Sequence, residues 1–286
     1  MINLKSLLVQ NLFERKSTNP WLFFFVLALG WSWIFWISAA ILSHFGSTVY
    51  VTALHYIGGV GPLVAAIFLL YRTQTREVQR DYWRKAIDFK RIGIRWYLII
   101  IFIVPLVTAL AALVDILFGG QGGQLETDIL LSQPLGILSF VVFILLFGPI
   151  PEELGWRGYA LDRLQAKRSA LTSSLILGII WSLWHLPLFF IDGTYQYNLS
   201  FGSIYFWIYM LDMIFKSILY TWIYNNNRYS TLSAILFHFM INLTGELFEL
   251  TEAAEVYQFI LWIILTVLVL MIWSPQKLIR GSTGRT

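Results

Sequence analysis

Residues 135–160 read LGILSFVVFILLFGPIPEELGWRGYA, an apolar run that ends in two prolines, two adjacent carboxylates and an arginine. As a helix, such a run crosses the roughly 30 Å of hydrocarbon in a bilayer, which places Glu152, Glu153 and Arg157 at membrane depth. Ionisable groups are expensive there and are kept where a function needs them. Pro149 and Pro151 stand just before the acids and predict an interruption of regular helix, as in broken helices that line polar cavities. The four-residue spacing puts Glu153 and Arg157 on one helical face as an ion pair. Glu152 is rotated by about 100° from Glu153. It cannot share that partner and is left to face a cavity as a general base.

The rest of the chain agrees with a membrane reading. Its 286 residues are 58% hydrophobic and 17% aromatic but only 13% charged, and the mean hydropathy is +0.69. Soluble domains carry about 25% charged residues, so the expectation is an all-α polytopic membrane protein. Cysteine is absent, which excludes disulfides, a thiol nucleophile and thiolate metal sites. Eight spans are expected, at 20–44, 50–71, 96–118, 135–157, 169–190, 203–224, 231–249 and 257–273. Residues 1–19 form a cytoplasmic arm too polar for a signal segment. Residues 20–273 make a single eight-helix transmembrane domain, and 274–286 a basic cytoplasmic tail.

Charge sets the orientation. With the first loop outside, the inside segments hold all of the 20 basic residues except Lys216, which lies within a span, Arg157 being counted at the inner end of the fourth span. Glu126, Asp128, Asp192, Glu249, Glu252 and Glu255 collect outside. That asymmetry puts both termini in the cytoplasm. The loop at 72–95, RTQTREVQRDYWRKAIDFKRIGIR, is the largest basic segment and is expected to lie on anionic headgroups. GGQGGQ at 119–124 reads as a flexible linker. The basic residues follow the membrane and form no separate domain, so no nucleic-acid partner is implied.

Two of the four histidines, His185 and His238, also lie inside apolar runs, and Asn242 follows His238 by one turn. Counted from Arg168, Glu152 lies 16 residues back and His185 lies 17 forward, hence at one level in a helical hairpin. His238 and Asn242 fall somewhat closer to the cytoplasm, so the three segments share a layer that opens toward it. His238 and Asn242 are stacked on one face and both can donate to an oxyanion without being charged. Asp212 and Lys216 pair within one span, and Asp115 lies in another; all three are kept outside the site. Gly58, Gly59 and Gly61 are read as permitting close helix packing.

Three patterns now stand in order: Glu-Glu-x-x-x-Arg from Glu152 to Arg157, Trp181-x-x-x-His185, and His238-x-x-x-Asn242. They resemble the motifs of the CAAX-protease and bacteriocin-processing (CPBP, Abi) intramembrane proteases, which include the Ras-converting enzymes that cleave prenylated proteins. Order, spacing and placement on the fourth, fifth and seventh spans match; Trp181 replaces the family's usual Phe. The resemblance implies an endopeptidase acting on membrane-associated proteins or peptides in the lipid bilayer. Glu152 would activate a water with help from His185, and His238 with Asn242 would hold the oxyanion. It leaves two mechanisms open: a glutamate protease that requires no cofactor, or a zinc enzyme with Glu152, His185 and His238 as a His₂Glu set. A His-Glu-x-x-His helix is lacking.

Two other functions compete. A non-catalytic bacteriocin-immunity or partner-binding membrane protein on the same fold would tolerate loss of a motif residue, yet all are intact. A transporter would show repeats and acids spread along a path, whereas here the acids cluster. Proteolysis leads, in an integral protein of a prokaryotic plasma membrane whose active site opens toward the cytoplasm.

Overall fold

The computed structural model describes residues 20–46, 48–125 and 134–279. The arm at 1–19, Glu126, Asp128 and the end of the tail lie outside the described residues. The first half holds α1 (Pro20–Ser43), α2 (Thr48–Gly59), α3 (Gly61–Thr73), α4 (Arg76–Ile87), α5 (Ile94–Leu117) and a short strand β1 (Gly123–Leu125). The second half holds α6 (Pro134–Phe147), α7 (Pro149–Gly155), α8 (Asp162–Gln165), α9 (Ala170–Trp184), α10 (Tyr195–Asn198), α11 (Ile204–Asn226), α12 (Thr231–Leu247), β2 (Phe248–Leu250) and α13 (Glu252–Ile272).

The all-α polytopic expectation holds, and the count of spans changes. Six helical segments are long and apolar enough to cross a membrane, with a seventh if α2 and α3, bent by 42°, act as one span. The remaining expected segment, the seventh in chain order, is α12, an apolar helix of 17 residues, about 25 Å long at 1.5 Å per residue. It begins at Ser230, whose hydroxyl accepts from the Ser233 amide at 3.3 Å, and stops where Phe248 enters a strand.

The helices are solvated by lipid rather than water, and their polarity is turned inward accordingly. Ile34 and Leu138 are 67% and 71% exposed, while Ser32, Ser173, Ser217 and Thr221 are fully buried. Small residues let backbones approach. A Cβ on Gly61 would stand 2.1 Å from Ser32 Oγ, and one on Gly58 2.4 Å from the Trp36 ring, whereas Gly59 faces open space. Close packing therefore rests on Gly58 and Gly61. Ser32 Oγ donates to the Gly58 carbonyl at 2.6 Å and accepts from Trp184 Nε1 at 2.7 Å, tying α1 to α2 and α9. α7 is held between α3 and α12.

The linker expectation for 119–124 is overturned in part. Gly123–Leu125 pairs antiparallel with Phe248–Leu250. Asp115 Oδ2 fixes this ribbon by accepting from the Gly122 amide at 2.8 Å and from Thr251 Oγ1 at 2.9 Å. The basic segment 72–95 is also more than a loop, since it contains α4. Tyr82 turns inward from α4 and its hydroxyl donates to the Leu154 carbonyl at 3.0 Å. Burial raises the pKa of that phenol, which stays a donor at neutral pH. Lys85 bonds Asp162 at 2.6 Å. Burial works against its charge, but Asp162 and Asp81 outweigh burial and raise its pKa.

Candidate active site

α6 ends at Phe147, Gly148 leaves helical geometry at φ −141° and ψ −86°, and α7 begins at Pro149. The break expected at the prolines is present, but the prolines start a helix rather than prevent one. In a first turn the missing N–H has no partner to lose. After Gly155 the helix widens into a π turn over Trp156–Leu161, a feature common at functional sites. Glu152 and Glu153 project from α7 and are both buried.

Arg157 Nη1 donates to both oxygens of Glu153, at 2.9 and 3.0 Å. Its Nε and Nη2 have no hydrogen-bond partner among the described residues. Instead the guanidinium lies 4.0 Å from the centroid of the Tyr220 ring and 4.6 Å from that of Trp181, so two aromatic faces meet the charge. Glu153 has a second partner: its Oε1 stands 2.9 Å from His238 Nδ1. An ionised carboxylate only accepts, so Nδ1 carries the proton and Nε2 is the free nitrogen. A neutral His238 therefore has no second proton to give. The uncharged oxyanion donor expected from the sequence is not available at His238, which donates from Nε2 only as the imidazolium.

Glu152 is held differently. Trp181 Nε1 donates to its Oε2 at 2.7 Å, and Oε1 makes no hydrogen bond among the described residues. His185 ends α9 and its Nδ1 meets the Trp181 carbonyl at 2.8 Å. A carbonyl only accepts, so here too Nδ1 is the donor and Nε2 carries a lone pair. The Trp181 ring lies 5.9 Å from that of His185 and 5.8 Å from that of His238. Asn242 is half-buried on α12, its Nδ2 lies 2.9 Å from where a Cβ on Gly148 would be, and its amide makes no hydrogen bond among the described residues. The structure thus gathers Glu152, His185 and His238 around Trp181, with Asn242 beside the helix break.

Sequence reasoning passed over three contacts: the Trp181 N–H on Glu152, Glu153 on His238, and Tyr220 over Arg157. A phenol in the middle of an apolar run was the available signal for Tyr220. Among the described residues, no group of three or more His, Asp or Glu side chains stands so as to hold a metal ion, and Glu152, His185 and His238 do not close into one. Asp212 and Lys216 pair with each other on α11, and Asp115 serves the ribbon.

A family model described as type II CAAX prenyl endopeptidase Rce1-like matches residues 134–244, which run from the start of α6 past Asn242. The CAAX prenyl protease 2 of Methanococcus maripaludis is 34% identical over 247 residues, covering 84% of this chain and 89% of that protein. The chain belongs to the Rce1-like CAAX prenyl endopeptidase family. The family is one of proteases, and the apolar helices make this Rce1-like member an integral membrane protein. Its similarity to the archaeal protein extends well beyond 134–244, so helices flanking the site belong to the shared architecture.

Proposed function

We propose that this Rce1-like chain is an intramembrane endopeptidase that hydrolyses a peptide bond of a membrane-anchored, prenylated CAAX-type protein or peptide. The observation that carries the reading is a buried Glu152 with one oxygen fixed by Trp181 and the other free, beside two imidazoles that each leave Nε2 unused. A water held by the free oxygen and by His185 Nε2 gives its proton to Glu152 as its oxygen adds to the scissile carbonyl. The resulting oxyanion meets the Asn242 amide and the Nε2 proton of a protonated His238, whose Nδ1 is held by Glu153. On collapse the C–N bond breaks and the leaving amine takes the proton from Glu152. Arg157 neutralises Glu153 and keeps that carboxylate from competing for the proton. The basic ends of the helices set the cavity toward the cytoplasm.

The test is turnover of a prenylated reporter peptide by protein reconstituted in vesicles. Glu152→Gln is expected to abolish cleavage and leave the unfolding temperature unchanged, because the amide is nearly isosteric but cannot take the proton. Turnover near that of the wild type would remove Glu152 from the role. Dialysis against a chelator decides the metal question: the glutamate reading expects no loss of activity. Loss that added zinc restores would put a metal among Glu152, His185 and His238 instead. Wild-type protein that binds the peptide and leaves it intact would favour the immunity-type alternative.

A further inference from the structure

The proteolytic reading leaves the outer face of α4 unused. Arg76, Arg80 and Arg84 recur every four residues, all exposed, and form one stripe along the helix. Ile87 falls within that stripe, about 20° round from Arg76 at 100° per residue, and is 70% exposed; Phe89 just beyond it is 63% exposed. The three guanidinium groups make no ion pair or hydrogen bond among the described residues, and neither does Glu77 on the flank. Elsewhere in the segment Asp81 engages Lys85 and Arg91, and Lys85 also binds Asp162, while Arg72 and Arg95 at its ends make no ion pair among the described residues.

The far side of α4 reaches the candidate site. Tyr82 is buried and donates to the Leu154 carbonyl, two residues after Glu152 and two before the π turn begins. Its ring also closes on Gly158, where a Cβ would stand 3.1 Å away. α4 is therefore a bridge between an uncompensated arginine stripe and the backbone that carries the carboxylates.

We propose that α4 is an anionic-phospholipid docking helix that couples the membrane surface to the Glu152 helix through Tyr82. Arginines with exposed aliphatic and aromatic neighbours on one face are suited to a headgroup layer, where the charges meet phosphates and the apolar groups enter the acyl boundary. An acidic peptide would satisfy the arginines but leave Ile87 and Phe89 in water. Only the effect on turnover rests on the proteolytic reading; docking itself does not.

The chain has no cysteine, so Ile87→Cys carrying a polarity-sensitive dye reports on this face alone. Full-length protein in phosphatidylcholine vesicles is compared with protein in vesicles that also contain phosphatidylglycerol, using an uncharged prenylated reporter for turnover. The expected result is a blue shift of the dye and a several-fold rise in turnover with phosphatidylglycerol. Arg76→Gln/Arg80→Gln/Arg84→Gln should lose both responses while keeping the turnover seen in phosphatidylcholine. Tyr82→Phe should keep the dye response and lose the rise in turnover. An unchanged dye response in the triple variant, or no response in the parent, overturns the docking; a full rise in turnover in Tyr82→Phe overturns the coupling. A shift produced by soluble polyglutamate in phosphatidylcholine vesicles would assign the stripe to acidic peptides and overturn the lipid. Absence of cleavage in every sample with the dye response intact would count against the proteolytic reading and not against docking.

Discussion

Trp181 makes the contact least visible in the sequence. Its indole N–H holds Glu152, its face meets Arg157, and its ring lies close to both imidazoles, at 5.9 and 5.8 Å. Spacing predicts which face a residue occupies, and Trp181 was legible only as the aromatic one turn before His185. That its nitrogen reaches an acid 29 residues earlier depends on the crossing of α7 and α9, which no periodicity encodes. Trp181→Phe keeps a ring and removes the donor. A hydrogen bond to a charged group contributes about 1.5–3 kcal/mol, so turnover is expected to fall by about 10-fold to 10²-fold with little change in unfolding temperature. Equal losses in both would make Trp181 a packing residue only. The Glu153–Arg157 pairing, by contrast, followed directly from a four-residue step. Arg157→Ala leaves Glu153 with His238 alone and is expected to cost about 3–5 kcal/mol of stability, measured by unfolding in detergent. Glu153→Gln with Arg157→Gln should recover much of that; a double variant no more stable than Arg157→Ala would refute the pairing.

α7 owes its position to a glycine. Gly155 lies on Pro62 of α3 so tightly that a Cβ would stand 2.4 Å from the proline ring and 2.7 Å from its carbonyl carbon. Gly155→Ala is expected to push α7 off α3, with an overpacking cost of about 1–3 kcal/mol and a fall in turnover. Gly59→Ala meets nothing and should change neither. If the two variants behave alike in unfolding and turnover assays, the contact does not position the helix. Element types were legible because apolar runs of this length have few alternatives. Their ends were not: Pro149 and Pro151 read as breakers, yet proline in a first turn is a starter. α12 ends two residues early because its last expected residues pair with β1.

Across the whole molecule, the expected topology rests on charge asymmetry. The cysteine-free chain allows it to be checked directly. Arg80→Cys should react with a membrane-impermeant thiol reagent only from the cytoplasmic side, and Gln121→Cys only from the other. Labelling of both from one side would invert or break the assignment. The ribbon between Gly123–Leu125 and Phe248–Leu250 was invisible because its strands are three residues long and lie about 125 residues apart in the chain. Asp115, set aside as an isolated acid, turned out to be its fastener. Short, distant pairings leave no periodic trace.

The placement of Glu153 and Arg157 on one stretch of helix bears on how the chain enters the bilayer during synthesis. His238, Trp181 and Tyr220 all lie downstream, so when α7 leaves the ribosome none of them exists to receive a charge. Each lone acid or base at a helix centre costs about 2.5–3.5 kcal/mol to insert. A guanidinium one turn from its carboxylate arrives already neutralised, and the nascent helix carries only Glu152 as an unmatched group. The partners that define the finished cluster are thus added to a pair that was membrane-compatible before they were made.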